Sequence, residues 1–161
     1  MNFEYLCDHM HLAPELARLH FAEWGPLLPA WSEADALAEL CTHQSRTAIP
    51  TTLLAWDAAN GALIGSVSLL QNDDDRIRDY SPWLASLFVL PMYRGLGHGI
   101  ALVHRCMREA AALEIEQLFL YTAGQQAFYQ KLGWHIVDNV AIGAGSVAVM
   151  GVDPHAVKSP P

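Results

Sequence analysis

The segment Val89-Leu90-Pro91-Met92-Tyr93-Arg94-Gly95-Leu96-Gly97-His98-Gly99-Ile100-Ala101-Leu102 constrains the fold more than any other part of the chain. The apolar run from Trp83 to Val89 reads as a strand, and the stretch from Pro91 to His98 as a glycine-rich turn. Ile100, Val103, Cys106/Met107, Ala110 and Leu113 then recur at helical spacing, so a helix with one buried face runs to about Leu113. Gln117 to Thr122 supplies a following strand. Strand, crossover helix and strand in this order predict a right-handed parallel β-α-β unit within an α/β fold. A buried strand that runs into glycines at a helix start exposes several backbone N–H groups, with the positive end of the helix dipole behind them, and so suits a phosphate. Glycine is required where a Cβ would hold a diphosphate off the backbone or where φ must be positive. A tight turn with no ligand is the alternative reading of the glycines alone.

Spacing excludes two other phosphate motifs. The dinucleotide fingerprint Gly-x-Gly-x-x-Gly needs glycine where Ile100 stands, and an acid at the end of the next strand, where Tyr121 and Thr122 stand. The nucleotide loop fails because no lysine followed by serine or threonine comes after the glycines.

Around this core the sequence predicts a strand at Phe3 to Cys7, a helix from Pro14 to Trp24 stopped by Gly25 and Pro26, and a second helix from the Ser32 cap to about His43. Thr51 to Trp56 and Ala62 to Leu70 form an antiparallel pair, with Asn60-Gly61 supplying the positive φ of its turn. Asn72 to Asp79 is a charged loop, expected to be mobile. Gln125 to Leu132 makes a short helix, Trp134 to Val137 and Ser146 to Met150 close the sheet, and residues 154–161 form a loose tail, leaving one domain over residues 1–153. With 161 residues and 52% apolar composition, the chain suffices for one core and not two ordinary domains.

No apolar run reaches membrane-spanning length and no secretory leader is legible, so a cytoplasmic protein is expected, with no membrane partner. Cys7, Cys41 and Cys106 form no metal or redox motif and read as reduced core thiols. His9 and His11 lack a third ligand, so no metal is expected. The net charge of −8 argues against nucleic acid. All of that charge lies in residues 1–80, with twelve acids against four bases, whereas residues 81–161 are balanced at five each. An anionic ligand is expected on the second half and a cationic one on the first, unless the acidity serves only solubility.

In its second half the sequence resembles the GNAT superfamily of N-acetyltransferases. Arg94, Gly97 and Gly99 match that family's Gln/Arg-x-x-Gly-x-Gly/Ala loop, and Val89-x-Pro91-x-Tyr93-Arg94-Gly95 matches the approach to it. A second block, Ala127-Phe128-Tyr129-Gln130-Lys131-Leu132-Gly133-Trp134, resembles the family's downstream Ala-x-x-Phe/Leu-Tyr-x-x-x-Gly-Phe/Trp region. The resemblance covers residues 83 to 138; residues 1 to 82 carry no diagnostic motif.

It implies a GNAT acyl-CoA N-acyltransferase fold: a mixed, mostly antiparallel sheet flanked by helices, with a central parallel strand pair splayed at the CoA site. It also implies an N-acetyltransferase that passes acetyl from the cosubstrate acetyl-CoA to an amine by direct attack in a ternary complex. The backbone of Leu87, Phe88 and Val89 would pair with the pantetheine arm, and the amides of Arg94, Gly95, Leu96, Gly97, His98, Gly99 and Ile100 would wrap the diphosphate, with the Arg94 side chain adding charge. N–H groups near Val89 and Leu90 would face the thioester oxygen as an oxyanion hole. Tyr129 matches the position that protonates the departing thiolate; packing is its other reading. Ser86 to Val89 lack the glutamate that the family often uses as a base. Glu23 and Asp79 are the substitutes, each otherwise a solvated acid. Trp24, Trp31 and Trp83 would wall the acceptor pocket or pack in the core. The acceptor is expected to be a small-molecule or peptide amine of cationic character, and a homodimer is left open. A CoA-binding sensor with weak turnover, or a transferase for another acyl group, are the competing functions.

Overall fold

The computed structural model describes residues 1–156. Its seven-stranded sheet runs β1 (Asn2–Tyr5), β2 (Thr51–Trp56), β3 (Leu63–Leu70), β4 (Trp83–Val89), β5 (Leu118–Thr122), β7 (Gly145–Val152), β6 (His135–Ile142) in spatial order. Every neighbouring pair is antiparallel except β4 and β5, which are parallel. The helix α3 (His98–Ala112) makes the crossover between those two.

Each remaining helix follows from its own sequence. In α1 (Ala13–Trp24) Pro14 sits in the first turn, and Ala13, Leu16, Ala17 and His20 fall on one buried stripe. A capping box starts α2 (Glu33–Leu40): the Asp35 N–H donates to Ser32 Oγ at 3.1 Å, and the Ser32 N–H donates to Asp35 Oδ2 at 2.9 Å. This helix ends at Leu40, short of the expected His43, because His43 turns inward to bond Thr52. The short α4 (Gln126–Gln130) carries Phe128 and Tyr129.

Leu102, Val103, Cys106, Met107 and Ala110 of α3 pack with Leu53, Val67, Leu69, Leu84, Leu120 and Met150 in the main core. Ile100, expected on that stripe, is exposed in the first turn of α3. α1 and α2 pack with Leu6 and Leu54. Beneath them lies a polar layer in which His20 Nε2 meets Ser66 Oγ at 3.2 Å, His43 Nδ1 meets Thr52 Oγ1 at 2.6 Å, and Thr52 meets Ser68 at 2.8 Å. Burial pushes both histidines down to about 4, so they are neutral at physiological pH.

Three further features depart from the sequence reading. The 72–79 loop, expected to be mobile, is pinned by Ile77, which is buried with Leu70, Trp83 and Phe119, and by Arg76, which grips Asp74 through two nitrogens. The closing strands are longer than expected because β6 and β7 form one continuous hairpin through Ile142 and Gly145. At the start of the expected loose tail, Pro154–Ala156 forms a 3-10 turn with Pro154 buried; residues 157–161 lie outside the described residues. Among the described residues no helix is long and apolar enough to cross a membrane.

Candidate active site

β4 and β5 share a single register pair, Trp83↔Phe119, reinforced by the Phe119 N–H donating to the Pro82 carbonyl at 3.0 Å. Past that point the strands part. The cause lies in β4, where an extra residue enters between the pairs Ser68↔Ala85 and Ser66↔Phe88, with Ser86 at φ 53°. Gly65 of β3 allows the end of β4 to lie close, since a Cβ there would stand 2.2 Å from the Phe88 carbonyl oxygen.

Strand alternation decides which amides face the gap. The Leu90 N–H donates to the Ile64 carbonyl at 2.9 Å and so is committed to β3; it is unavailable for an oxyanion hole, contrary to expectation. The Val89 backbone has the opposite parity and faces the gap.

The loop then turns through Pro91–Tyr93, with Gly95 at φ 77° and Gly97 at φ 84°. A Cβ at either glycine would meet nothing within 4 Å, so the space before the loop is open. Among the described residues, no backbone carbonyl accepts from the N–H groups of Gly95, Leu96, Gly97, His98, Gly99 or Ile100. His98 Nδ1 is also buried without a partner. Such a row of orphan donors at the start of a fifteen-residue helix fits a diphosphate. The Arg94 side chain is engaged elsewhere: its Nε donates to the Val89 carbonyl at 2.8 Å, and its Nη2 lies 3.0 Å from Glu23 Oε2.

Where the strands part, a cleft of about 670 Å³ opens between α1, α2, the 72–79 loop and the tips of β5, β6 and β7. Tyr129 and Leu87 stand on its inner side, with Trp24 and Trp31 on the wall. Trp83, in contrast, is fully buried and belongs to the core. Tyr129 packs edge-on to Phe128 and Trp134, and burial lifts its phenol to about 12.

Neither substitute base faces this space. Glu23 is turned toward Arg94, and Asp79 is exposed beside Tyr80; neither lines the cleft. The carboxylates that do are Glu39, Asp73, Asp74 and Asp75. Hydrogen bonds from Arg76 hold Asp74 below the usual carboxylate range, and Asp75 pairs with Arg78. Asp73 and Glu39 have no cationic partner among the described residues. Loss of hydration in the cleft and the charges of Glu39 and Asp74 push Asp73 up to about 7, against the lowering effect of the nearby Tyr121 hydroxyl; burial also raises Glu39.

Glu39, Tyr121 and Gly65 escaped the sequence reading. Tyr121 lies on the opposite face of β5 from Leu118, Leu120 and Thr122, and is the one residue of that strand that is only half-buried.

The model of the Acetyltransferase (GNAT) family matches residues 14–134. No curated protein matches the sequence. Among solved structures, the chain is similar to an aminoglycoside 6'-N-acetyltransferase complexed with coenzyme A, at 16% identity and a TM-score of 0.74, with all of both chains covered. A second, the aminoglycoside 6'-N-acetyltransferase from Enterococcus faecium, aligns at 17% identity and a TM-score of 0.73 over the whole of both chains. A spermidine/spermine N-acetyltransferase from Vibrio cholerae aligns at 19% identity and a TM-score of 0.56, over 76% of this chain and 74% of that one. These three are likenesses of fold.

Proposed function

The chain belongs to the GNAT acetyltransferase family, and from that premise we propose that it passes an acetyl group from acetyl-CoA directly to a cationic amine bound in the acidic cleft. The observation that carries this reading is the row of unpaired amides from Gly95 to Ile100, set at the end of a splayed strand that opens into the cleft holding Tyr129. The amides would bind the diphosphate of CoA, and the backbone edge of Leu87 to Val89 that faces the gap would pair with its pantetheine arm. The thioester would then lie beside Val89, whose N–H would stabilise the negative charge that grows on the carbonyl oxygen as the amine attacks. Tyr129, with its phenol near 12, stays protonated at neutral pH and would give its proton to the CoA thiolate in a step that is uphill for so weak an acid and is completed as solvent restores the phenol. Arg94 would serve by tying the loop to α1 rather than by touching phosphate.

The uncompensated carboxylates support a cationic acceptor; aminoglycosides and polyamines, the substrates for which the similar enzymes are named, are amines of that kind. Residues 1–153 would constitute the transferase domain. The three free cysteines suit a cytoplasmic setting.

The test is incubation with acetyl-CoA and a panel containing spermidine, kanamycin, a peptide with a free N-terminus and an anionic amino acid, following free thiol and product mass. Thiol release with a gain of one acetyl group on the cationic members is expected. Tight CoA binding without release would instead identify a sensor, and preference for the anionic amino acid would overturn the cationic assignment.

A further inference from the structure

We propose that Asp73 is the general base of the reaction, taking the proton from the acceptor ammonium while Glu39, lining the same cleft, holds the acceptor's charge; this rests on the acetyltransferase reading above. A protonated amine has no lone pair for attack, so something in the cleft must receive its proton. The family's usual strand carboxylate is absent, since Ser86 to Val89 contain none. Of the four carboxylates that line the cleft, ion pairing removes two: Asp74 is gripped by Arg76, and Asp75 by Arg78. Asp73 and Glu39 remain, on the 72–79 loop and on α2, in the same cavity as Tyr129.

The groups that face Asp73 come from each neighbouring element: Glu39 from α2, Asp74 and the paired Arg76 from its own loop, and the Tyr121 hydroxyl from β5. Both unpaired carboxylates belong to solvent-exposed residues, and lining the cleft still costs them part of their hydration. Asp73 is thereby raised to about 7, and a base works best when its own pKa lies near the operating pH.

The proton count closes. The ammonium gives one proton to the Asp73 carboxylate, and the nitrogen lone pair attacks the thioester carbon. The C–N bond forms, the C–S bond breaks, and the thiolate takes the Tyr129 proton. The nitrogen sheds a second proton that restores the phenol through solvent, and Asp73 releases its proton as the amide leaves.

Two measurements decide the assignment. In carboxyl carbon NMR, the Asp73 signal, identified by its loss in Asp73→Asn, should titrate near neutral pH and move toward the ordinary carboxylate range in Glu39→Gln; titration of wild-type Asp73 in the ordinary range overturns the proposal. In turnover, Asp73→Asn should lose about 10²-fold in kcat on spermidine or kanamycin. It should lose little on trifluoroethylamine, which is already neutral at the assay pH, and its deficit on the cationic acceptors should shrink as pH rises. Equal loss on both classes of amine would make Asp73 a structural residue. Should the wild type release no thiol with any amine, the transferase reading fails on its own, and absence of a near-neutral Asp73 titration would separately remove the base.

Discussion

The loop before α3 and the acceptor cleft meet at β4, yet they are built from different materials. The loop is backbone: its donors are amides, and what matters is that Gly95 and Gly97 can hold positive φ with open space before them. The cleft is side chain, with Glu39 from α2, Asp73 from a loop, Tyr121 from β5 and Tyr129 from α4. A site made of backbone demands particular residues at fixed spacing. A site made of side chains demands only that the fold bring some suitable groups together, so several solutions serve.

The sharpest way to break this contrast is Gly97→Val. Its Cβ would meet no protein atom within 4 Å but would project into the open space before the loop, at a φ that β-branched residues resist. Loss of the CoA-dependent rise in Tm is expected, with at most a modest fall in the Tm of the free protein; CoA binding at wild-type strength would show that the loop is not the cradle. Tyr129→Phe comes next. It keeps the ring against Phe128 and Trp134 and removes only the hydroxyl, so kcat should fall about 10²-fold with CoA binding unchanged. An unaltered kcat at saturating substrates would leave Tyr129 with packing alone.

A smaller effect concerns the wall behind the cleft. His20 and His43 are lowered from 6.5 to about 4, so the folded state resists their protonation while the unfolded chain accepts it. Their contribution to stability is full above about pH 6.5 and is lost as pH falls toward 4. Asp73 is raised and titrates with the opposite sign, contributing stability at low pH that is lost as pH rises through about 7. The histidines are therefore best read in Asp73→Asn, whose Tm should fall continuously from pH 6.5 to 4; a flat profile would mean that some group accepts their charge. Smallest of all is Glu23→Gln. The Arg94 pair it breaks is solvent-exposed, worth about 0–1 kcal/mol, and turnover should change less than about 3-fold. A loss as large as that of Tyr129→Phe would return Glu23 to the chemistry.

These contrasts explain what could be read in advance. The strand–loop–helix unit was legible because glycine and helical periodicity both constrain it, and Tyr129 was legible because it stands in a motif. Glu23 and Asp79 were reasonable acids in the right elements, but the choice among acids turns on ion pairing. Nothing in the run Asp73-Asp74-Asp75-Arg76-Ile77-Arg78 says that the arginines take Asp75 and Asp74 and leave Asp73 free. Glu39 is an exposed residue of α2, where its sequence looks like any solvated helix face although it borders the cleft. The direction of the Leu90 amide is hidden for a related reason: the extra residue in β4 resets strand parity, and no residue type announces it.

The lone register pair between β4 and β5 also bears on hydrogen exchange. With Trp83↔Phe119 as the single shared rung, the sheet is two ladders, and the halves are held together by α3 and by the cluster of Tyr80, Trp83 and Phe119. Amides on the inner edges behave as edge amides although they lie at the middle of the fold, and they should exchange faster than amides one strand further out. A ligand that pairs with β4 converts an edge into an interior, so the slowing of exchange at the outward amides of Leu87 and Val89, against an unchanged Phe88, would report how much of the sheet the cosubstrate completes.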